Sequence, residues 1–309
     1  TIGGSGRGVF GNLSINKTSG NTSLTAGQSV TGNLRLAQGI LDIFTFNLSL
    51  GPNSSVYDAL TGTTAVFSAS KMIRLSGNQS DGGVTREFSG LTAFLFPIGT
   101  AADYTPATLQ FSSTPTRWGS VTVRPVTQRH PLVTGTNALS YYWTAKGEGF
   151  EGIQPGSVSY TFQYAASDLS GTENLYIPSA YRPYSWFPVN DNSRVVDATN
   201  TILFSNTNNV DGDYTAGEPS SFQSIKVFYS RQDGNWNDPA TWSSVSVGGP
   251  VDGSVPGSGN PVVIGDGTIN HTVTIPEGVN NIVAGGLQIN SGSTLDLQTT
   301  TGHNFGAIP

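Results

Sequence analysis

The amino-acid sequence predicts an all-β protein in which short β-solenoid (β-helix-like) segments flank an immunoglobulin-like β-sandwich. The first observation behind this prediction is composition, because charged residues make up only 11% of the 309 residues, against roughly a quarter in ordinary soluble proteins. Ser, Thr, Asn and Gly supply the polarity instead, and they favour turns and form helices poorly. The second observation is that apolar residues alternate in short stretches between such turns, which is typical of β-strands. We therefore expect no long helix.

The third observation is a sequence repeat that occurs near both ends of the chain. Residues 34–43 read Leu-Arg-Leu-Ala-Gln-Gly-Ile-Leu-Asp-Ile, and residues 287–297 read Leu-Gln-Ile-Asn-Ser-Gly-Ser-Thr-Leu-Asp-Leu. Each copy predicts two short strands joined at a Gly-containing corner, the pattern of stacked solenoid coils. A coil buries its apolar face only against the coils above and below it. We therefore expect each solenoid segment to continue into a neighbouring coil, and the chain to be a segment of something longer.

Three domains follow from the spacing of the strand patterns. Residues 1–90 predict an N-terminal solenoid that ends in a hairpin, with strands at 67–75 and 84–88 around an Asp-Gly-Gly turn. Residues 91–222 contain more widely spaced strands, rich in aromatic residues and punctuated by prolines, which favours a β-sandwich. Residues 223–309 predict the second solenoid.

A tryptophan-bearing cap is predicted near the start of this second solenoid. Asp238 followed by Pro239 is the pattern of a helix N-cap with proline at the first helical position. A single helical turn there places Trp236 and Trp242 over the open end of the solenoid that follows.

Composition and charge exclude several kinds of function. The chain contains no cysteine, which excludes disulfides, thiolate zinc sites and cysteine nucleophiles. The formal net charge of −6 repels a nucleic acid over most of the surface. No apolar stretch reaches the length of a membrane-spanning helix. We therefore expect neither nucleic-acid binding nor membrane insertion.

The sequence contains no complete catalytic pattern, so we predict that the protein is not an enzyme. His130, His271 and His303 are isolated, and no serine lies in a nucleophile-elbow motif. A polysaccharide-degrading solenoid enzyme is the alternative, since such enzymes place several carboxylates on adjacent coils. The acidic residues available for that chemistry are Asp42, Asp266, Glu277 and Asp296, each spaced singly.

The strongest metal candidate is an acidic segment near the end of the predicted sandwich. Asp211 and Asp213 flank a glycine, and Glu218 follows five residues later. Closely spaced carboxylates suit calcium, so these three residues form the candidate site for a structural calcium ion. The spacing of an EF-hand is absent, and a solvated Asp-Gly turn is the alternative. No other cofactor is expected.

Surface glycans are a second candidate partner. Residues 181–187 bring four aromatic rings close together beside a proline that keeps the segment in a loop. Exposed rings with a polar handle suit sugar binding. The segment therefore predicts a carbohydrate-binding module whose affinity depends on Trp186, with packing of the same rings into a core as the alternative.

Several motifs together resemble one class of proteins. They are residues 10–17 (Phe-Gly-Asn-Leu-Ser-Ile-Asn-Lys), 57–62 (Tyr-Asp-Ala-Leu-Thr-Gly), 94–100, 174–178, 211–218 and 234–242, the last of which contains Asn-Trp-Asn-Asp-Pro-Ala-Thr-Trp. These motifs resemble those of the very large, repetitive surface proteins of the Bacteroidota. The resemblance implies export by the type IX secretion route, a location outside the cell or on its surface, and a role as an adhesin or fibre. Such cargo usually ends in a sorting domain and none is recognised here, so we expect an internal segment or a cleaved chain.

We therefore predict a non-catalytic, extracellular structural or adhesive module that joins head-to-tail through strand edges. An unpaired edge strand is a template for the addition of another strand. The expected partners are copies of the protein itself or adjacent repeats of the same chain. The predicted interface residues are Phe10, Leu13, Ile15, Leu34 and Leu36 on one side, and Leu287, Ile289, Leu295 and Leu297 on the other.

Overall fold

The computed structural model describes residues 1–4, 6–58, 66–182, 185–188, 193–222, 226–257, 260–284, 286–299 and 302–305. Regular structure in these ranges consists of β-strands and five short 3-10 turns, which confirms the all-β class and a solenoid-like arrangement. The chain forms two compact units. The first unit comprises Thr1–Ala180 and Phe187–Gln223, and the second comprises Tyr181–Trp186 and Ser224–Pro309.

The first unit begins with a stack of coils that contribute three short strands each. The strands are β1 (Gly8–Phe10), β2 (Leu13–Asn16), β3 (Thr22–Ser23), β4 (Gln28–Val30), β5 (Leu34–Gln38), β6 (Leu41–Phe44), β7 (Asn47–Leu50), β8 (Val56–Tyr57), β9 (Ile73–Leu75), β10 (Gly83–Glu87), β11 (Phe94–Phe96) and β12 (Ile98–Gly99). Except for β11, which pairs antiparallel with a later strand, they pair in parallel on three faces, in the orders β1-β4-β7-β10, β2-β5-β8 and β3-β6-β9-β12. Gly8 pairs with Gln28, so the first coil takes 20 residues.

Apolar residues of successive coils stack directly on one another inside this solenoid. Leu13 lies opposite Leu34, and Ile15 lies opposite Leu36. A corner separates β5 from β6 at Gly39, where φ is +83° and a Cβ would lie 2.8 Å from a backbone carbonyl oxygen of the coil before. Only glycine fits this corner without strain. The sequence repeat at residues 34–43 therefore corresponds to two successive strands, β5 and β6, on two faces of one coil.

The predicted hairpin between residues 67–75 and 84–88 is wrong. Strand β9 pairs in parallel with β6 and β12, and β10 pairs in parallel with β7. The glycines of the Asp-Gly-Gly sequence form a solenoid corner instead, because a Cβ on Gly82 would lie 2.6 Å from the backbone nitrogen of Asn47. Stacking on the previous coil buries the apolar residues of both strands, which a two-stranded hairpin could not do.

Strand β10 is where the parallel solenoid becomes an antiparallel sheet. Its second edge pairs antiparallel with β14. The next strands along the chain are β13 (Ala107–Phe111), β14 (Ser120–Val126), β15 (Tyr142–Glu148), β16 (Val158–Gln163), β17 (Ile177–Arg182), β18 (Ser185–Pro188), β19 (Arg194–Val196), β20 (Thr201–Thr207) and β21 (Gly212–Gly217). The 3-10 turns of this part are Ala166–Asp168, Glu173–Leu175, Asp197–Thr199 and Pro219–Ser221. The resulting sheet has the order β1-β4-β7-β10-β14-β15-β21-β17-β18, and a second sheet has the order β11-β13-β16-β20-β19.

Aromatic residues hold these two sheets together. Trp143 on β15 packs against Phe162 on β16 with ring centroids 4.9 Å apart, and Tyr214 on β21 lies 4.9 Å from Phe204 on β20. All four side chains are fully buried, and they belong to the same hydrophobic cluster as the inward residues of the solenoid. Residues 1–90 and 91–222, which the sequence analysis placed in separate domains, thus share one sheet and one core.

The second unit contains another stack of parallel coils. Its strands are β22 (Phe228–Ser230), β23 (Gly234–Asn235), β24 (Trp242–Ser243), β25 (Pro261–Ile264), β26 (Thr272–Ile275), β27 (Val283–Ala284), β28 (Gly286–Ile289), β29 (Thr294–Leu297) and β30 (Asn304–Phe305). Three faces pair in parallel, in the orders β22-β25-β28, β23-β26-β29 and β27-β30. Strand β24 pairs antiparallel with the outer edge of β22.

The tryptophan pair lies in the core of this second stack, where Trp236 also packs against Phe305 of the last coil with ring centroids 5.5 Å apart. The Asp238 side chain accepts a hydrogen bond from the Ala240 amide (2.9 Å), and Pro239–Thr241 forms a 3-10 turn. The rings of Trp236 and Trp242 lie 5.1 Å apart, and Trp242 Nε1 donates to the carbonyl oxygen of Trp236 (2.8 Å). Both side chains are buried in the core of the unit.

Stacking of coils should dominate the stability of the first unit. Replacement of Leu36 by Ala removes a fully buried side chain from the inner column, so we expect a loss of about 2–5 kcal/mol in the free energy of unfolding. Val9 lies on an outward position of β1 and is 70% exposed, so Val9→Ala should change stability by less than about 0.5 kcal/mol. Urea unfolding of both variants checks this difference, and equal midpoints would contradict it.

Candidate functional site

The last coil of the second unit leaves an apolar layer partly uncovered. Four of its residues continue the columns of the coil before it: Leu287 lies opposite Val262, Ile289 opposite Ile264, Leu295 opposite Val273, and Leu297 opposite Ile275. The four residues of the earlier coil are buried. In contrast, Ile289 is 44% exposed and Leu297 is 51% exposed, and the other two are half-buried. We call Leu287, Ile289, Leu295 and Leu297 the terminal layer.

The backbone of the last coil also presents an edge. Thr294 and Gln298 donate their amide hydrogens to carbonyl oxygens of the preceding coil, each at 3.0 Å. Alternate residues of a parallel strand direct their backbone groups to opposite neighbours. The backbone N–H and C=O groups of Leu295 and Leu297 consequently point away from β26. Within the described part of the chain, β28 and β29 end their sheet orders.

The first coil of the first unit is better covered than the last coil of the second. Phe10 and Leu13 are half-buried, whereas Ile15 is only 3% exposed. Ile2 packs against this core and forms a parallel bridge with Leu24, where its amide donates to the Ser23 carbonyl oxygen. The described sheet orders nevertheless end at β1 and β2, which leaves these two strands as edges.

Two of the predicted interface residues cannot take part in an end surface. Leu34 and Leu36 lie in the second coil and are fully buried, beneath Leu13 and Ile15. Leu34 also pairs on its other side with Val56 of the third coil. The repeat predicts the strands of a coil, but it is the same for an inner coil and an end coil. The sequence alone therefore could not show that these two leucines belong to an inner coil.

An ion pair between coils was missed by the sequence analysis. Asp42 on β6 and Arg74 on β9 are register partners, and Arg74 Nε donates to Asp42 Oδ2 at 2.9 Å. Asp42 is buried, so it is committed to this pair and is not available for polysaccharide chemistry. Asp296 occupies the matching position in the other copy of the repeat, at the coil edge, where it accepts a hydrogen bond from Gln298 Nε2 (2.9 Å).

Among the other acidic residues considered for catalysis, Asp266 has a structural role. Asp266 accepts hydrogen bonds from the amides of Thr268 and Ile269, and these bonds hold the pKa of Asp266 below its usual range. Asp42 belongs to the first unit, whereas Asp266, Glu277 and Asp296 belong to the second.

The structure does not gather the three residues of the calcium candidate at one point. Asp211 and Glu218 flank the extended strand β21, which at roughly 3.3 Å per residue separates them by about 20 Å. Asp211 Oδ1 accepts the Gly147 amide (2.7 Å), and Asp213 Oδ2 lies 3.2 Å from His130 Nε2. The two Glu218 oxygens accept from the Asn137 side chain and the Thr172 amide, each at 2.9 Å. The described residues include no group of three or more His, Asp or Glu placed to hold a metal ion.

All three histidines make side-chain contacts that the sequence did not show, and the ring of His303 accepts the Ile282 amide at Nδ1 (3.3 Å). His130 is buried, its Nδ1 accepts the Leu132 amide (3.2 Å), and its Nε2 faces Asp213. His271 Nδ1 lies 2.9 Å from the hydroxyl of Ser230, which is fully buried and also accepts the Gly265 amide (2.9 Å). Because this hydroxyl has no access to solvent, the serine–histidine contact joins coils rather than forming an open nucleophile.

The residue chosen for sugar stacking is not on the surface. Trp186 is only 4% exposed, and its ring makes an edge contact with Tyr181 at 5.4 Å. Residues 183 and 184 of the predicted sugar-binding segment lie outside the described residues, as do residues 59–62 of the motifs listed above. The packing alternative therefore applies to Trp186.

The chain matches no protein-family model, no curated protein and no solved structure. In the described residues no helix is both long and apolar enough to cross a membrane. The terminal layer and the edge strands of the first coil are consequently the candidate functional surfaces, on the strength of geometry alone.

The ion pair between coils should matter more than an ion pair on the surface. Asp42→Asn leaves Arg74 without its charge partner. Because Arg74 is partly exposed to water, we expect a loss of about 1–3 kcal/mol rather than the full cost of a buried pair. Arg117→Gln breaks an exposed pair with Glu151 and should cost at most about 1 kcal/mol. Thermal unfolding measures both, and equal shifts in Tm would argue against a role for Asp42 in coil stacking.

The hydrogen bonds of Asp211 predict how the protein responds to calcium. Asp211→Ala removes the acceptor of the Gly147 amide and should reduce stability by about 1–3 kcal/mol. Added calcium should not restore the Tm, and EGTA should leave the Tm of the unaltered protein unchanged. A fall in Tm with EGTA that Asp211→Ala abolishes would instead establish a calcium site at this residue.

Proposed function

We propose that this protein is a non-catalytic structural or adhesive module that extends head-to-tail by stacking coil upon coil. The observation that carries the proposal is the terminal layer, in which Ile289 and Leu297 remain exposed although the residues below them in the same columns are buried. Exposed apolar residues at an ordered strand edge mark a surface for another strand layer. The partner is a second copy or an adjacent repeat of the same chain.

The dimensions of the two solenoids suit such stacking. Gly8 and its partner Gln28 in the first unit are 20 residues apart. In the second unit the last coil repeats after 25 residues from Val262 to Leu287, 22 from Val273 to Leu295 and 21 from Val283 to Asn304. Coils of similar length with apolar interiors present similar outlines to each other. A head-to-tail contact between different surfaces forms a filament when it does not close into a ring.

The resemblance to Bacteroidota surface proteins supports the setting of this proposal. It favours a bacterial surface fibre or giant surface protein outside the cell, exported by the type IX route. The low content of charged residues and the absence of cysteine agree with that setting. The same proposal includes two further points. The two packed sheets of the first unit form an immunoglobulin-like sandwich, and surface glycans are further partners.

Charges placed in the terminal layer should abolish association. The double variant Ile289→Asp, Leu297→Asp puts two carboxylates where another coil would cover apolar side chains. Burial of each of these apolar side chains stabilises the contact by roughly 1.5–3 kcal/mol. We expect the unaltered protein to form dimers and longer species as its concentration rises, and the variant to need at least about 100-fold more protein to do so. Sedimentation velocity over a concentration series measures the change.

A matched control comes from the same unit. Val245 is 67% exposed and lies outside the strands, so Val245→Asp should associate like the unaltered protein. The proposal fails if the unaltered protein stays monomeric up to about millimolar concentration. It also fails if the terminal-layer variant associates as readily as the control.

A further inference from the structure

A cavity of about 510 Å³ opens in the first unit beside the end of β10. Arg86 lines the cavity, together with the half-buried apolar side chains of Val56 and Phe67. Polar side chains at its rim include those of Asn53 and Thr92, which are exposed. The volume is in the range of small-molecule sites in proteins.

Arg86 is a buried cation that forms no ion pair with any of the described residues. Its side chain is 9% exposed. Nη1 donates to the carbonyl oxygens of Gly51 and Glu87, and Nη2 donates to that of Pro52 (2.8 Å). Nε is buried and has no hydrogen-bond acceptor within the part of the chain that the structure describes. The charge of the guanidinium remains beside the cavity that Arg86 lines, because carbonyl dipoles solvate a cation without neutralising it.

Two aromatic rings fix the position of this charge. The guanidinium carbon lies 4.9 Å from the ring centre of Phe94 and 5.7 Å from that of Phe88. Burial lowers the pKa of Arg86, and the exposed Glu87 carboxylate acts in the opposite direction without forming an ion pair. A buried cation is costly unless an anion pairs with it. No described residue therefore supplies the guanidinium of Arg86 with a negatively charged acceptor.

We propose that this cavity binds an acidic sugar, with the carboxylate of a uronic acid paired to Arg86. Because Nη1 already donates both of its hydrogens and Nη2 donates one, a carboxylate oxygen of the ligand accepts the remaining Nη2 hydrogen and brings its negative charge beside the guanidinium. The half-buried faces of Val56 and Phe67 suit the C–H face of a sugar ring, and the rim side chains of Asn53 and Thr92 suit its hydroxyl groups. The site belongs to the first unit, whereas the terminal layer belongs to the second, and the site does not depend on head-to-tail stacking.

Glycine at the cavity wall allows a test that leaves Arg86 in place. Gly90 lines the cavity, and a Cβ built on it meets no atom within 4 Å, so Gly90→Trp should fold and fill the space. Gly4 is equally unobstructed and lies outside the lining residues, which makes Gly4→Trp the matched control. Arg86→Gln removes the charge and keeps a hydrogen-bond donor.

Titration calorimetry with sodium galacturonate and sodium glucuronate tests the site, with galactose and glucose as neutral counterparts. We expect one of the uronates to bind the unaltered protein and Gly4→Trp with equal affinity. Gly90→Trp and Arg86→Gln should each weaken that binding at least about tenfold, as expected for the loss of a charge-assisted contact. The neutral sugars should bind at least about tenfold more weakly than the uronate.

Several results would overturn the assignment. It fails if neither uronate binds the unaltered protein, if Gly90→Trp binds as well as Gly4→Trp, or if the neutral sugar binds as tightly as the uronate. Binding of sodium sulfate at the same affinity as the uronate would also reject a sugar site, because it would show that charge alone is recognised. If Arg86→Gln does not fold, the comparison of the two tryptophan variants decides the question.

Discussion

The structure depends on one constraint: a solenoid coil buries its apolar residues only against the next coil. The constraint is visible in a single column of the second unit, where Ile275 is fully buried and its partner Leu297 is half exposed. Nothing in the side chain itself explains this difference, because both are aliphatic residues at inward positions. Position within the stack explains it. A solenoid end is consequently a place where burial remains to be completed.

The two units cover one end of their stacks of coils in different ways. In the first unit, β10 pairs in parallel with the solenoid on one side and antiparallel with β14 on the other, so the stack continues as a sheet. The core then continues without interruption to the aromatic residues around Trp143. In the second unit, β24 covers the outer edge of β22, and Trp242 of β24 packs into the core of the unit. The last coil, with β28 and β29, carries no such cover among the described residues.

Local features of this fold were predictable from sequence, and pairings between distant segments were not. The corner at Gly39 and the turn after Asp238 depend on nearby residues, and both are where the pattern indicates. Pairing of β9 and β10 is decided by which coil lies beneath them, a choice that the turn sequence at Gly82 does not contain. The same limit applies to function: Leu34 and Leu287 share one pattern, yet only Leu287 is at a coil end. Asp211 and Glu218 are near in sequence but an extended strand holds them apart.

Amide hydrogen exchange at the last coil tests the central claim most directly. If coils stack on the terminal layer, the amides of Leu295 and Leu297, which point away from β26, should exchange more slowly as protein concentration rises, whereas the Thr294 amide, already bonded to the preceding coil, should change little. Protection of edge amides reports pairing of the backbone itself. Exchange rates of Leu295 and Leu297 that do not change with concentration, in a sample that nevertheless associates, would contradict the account, because association would then use another surface.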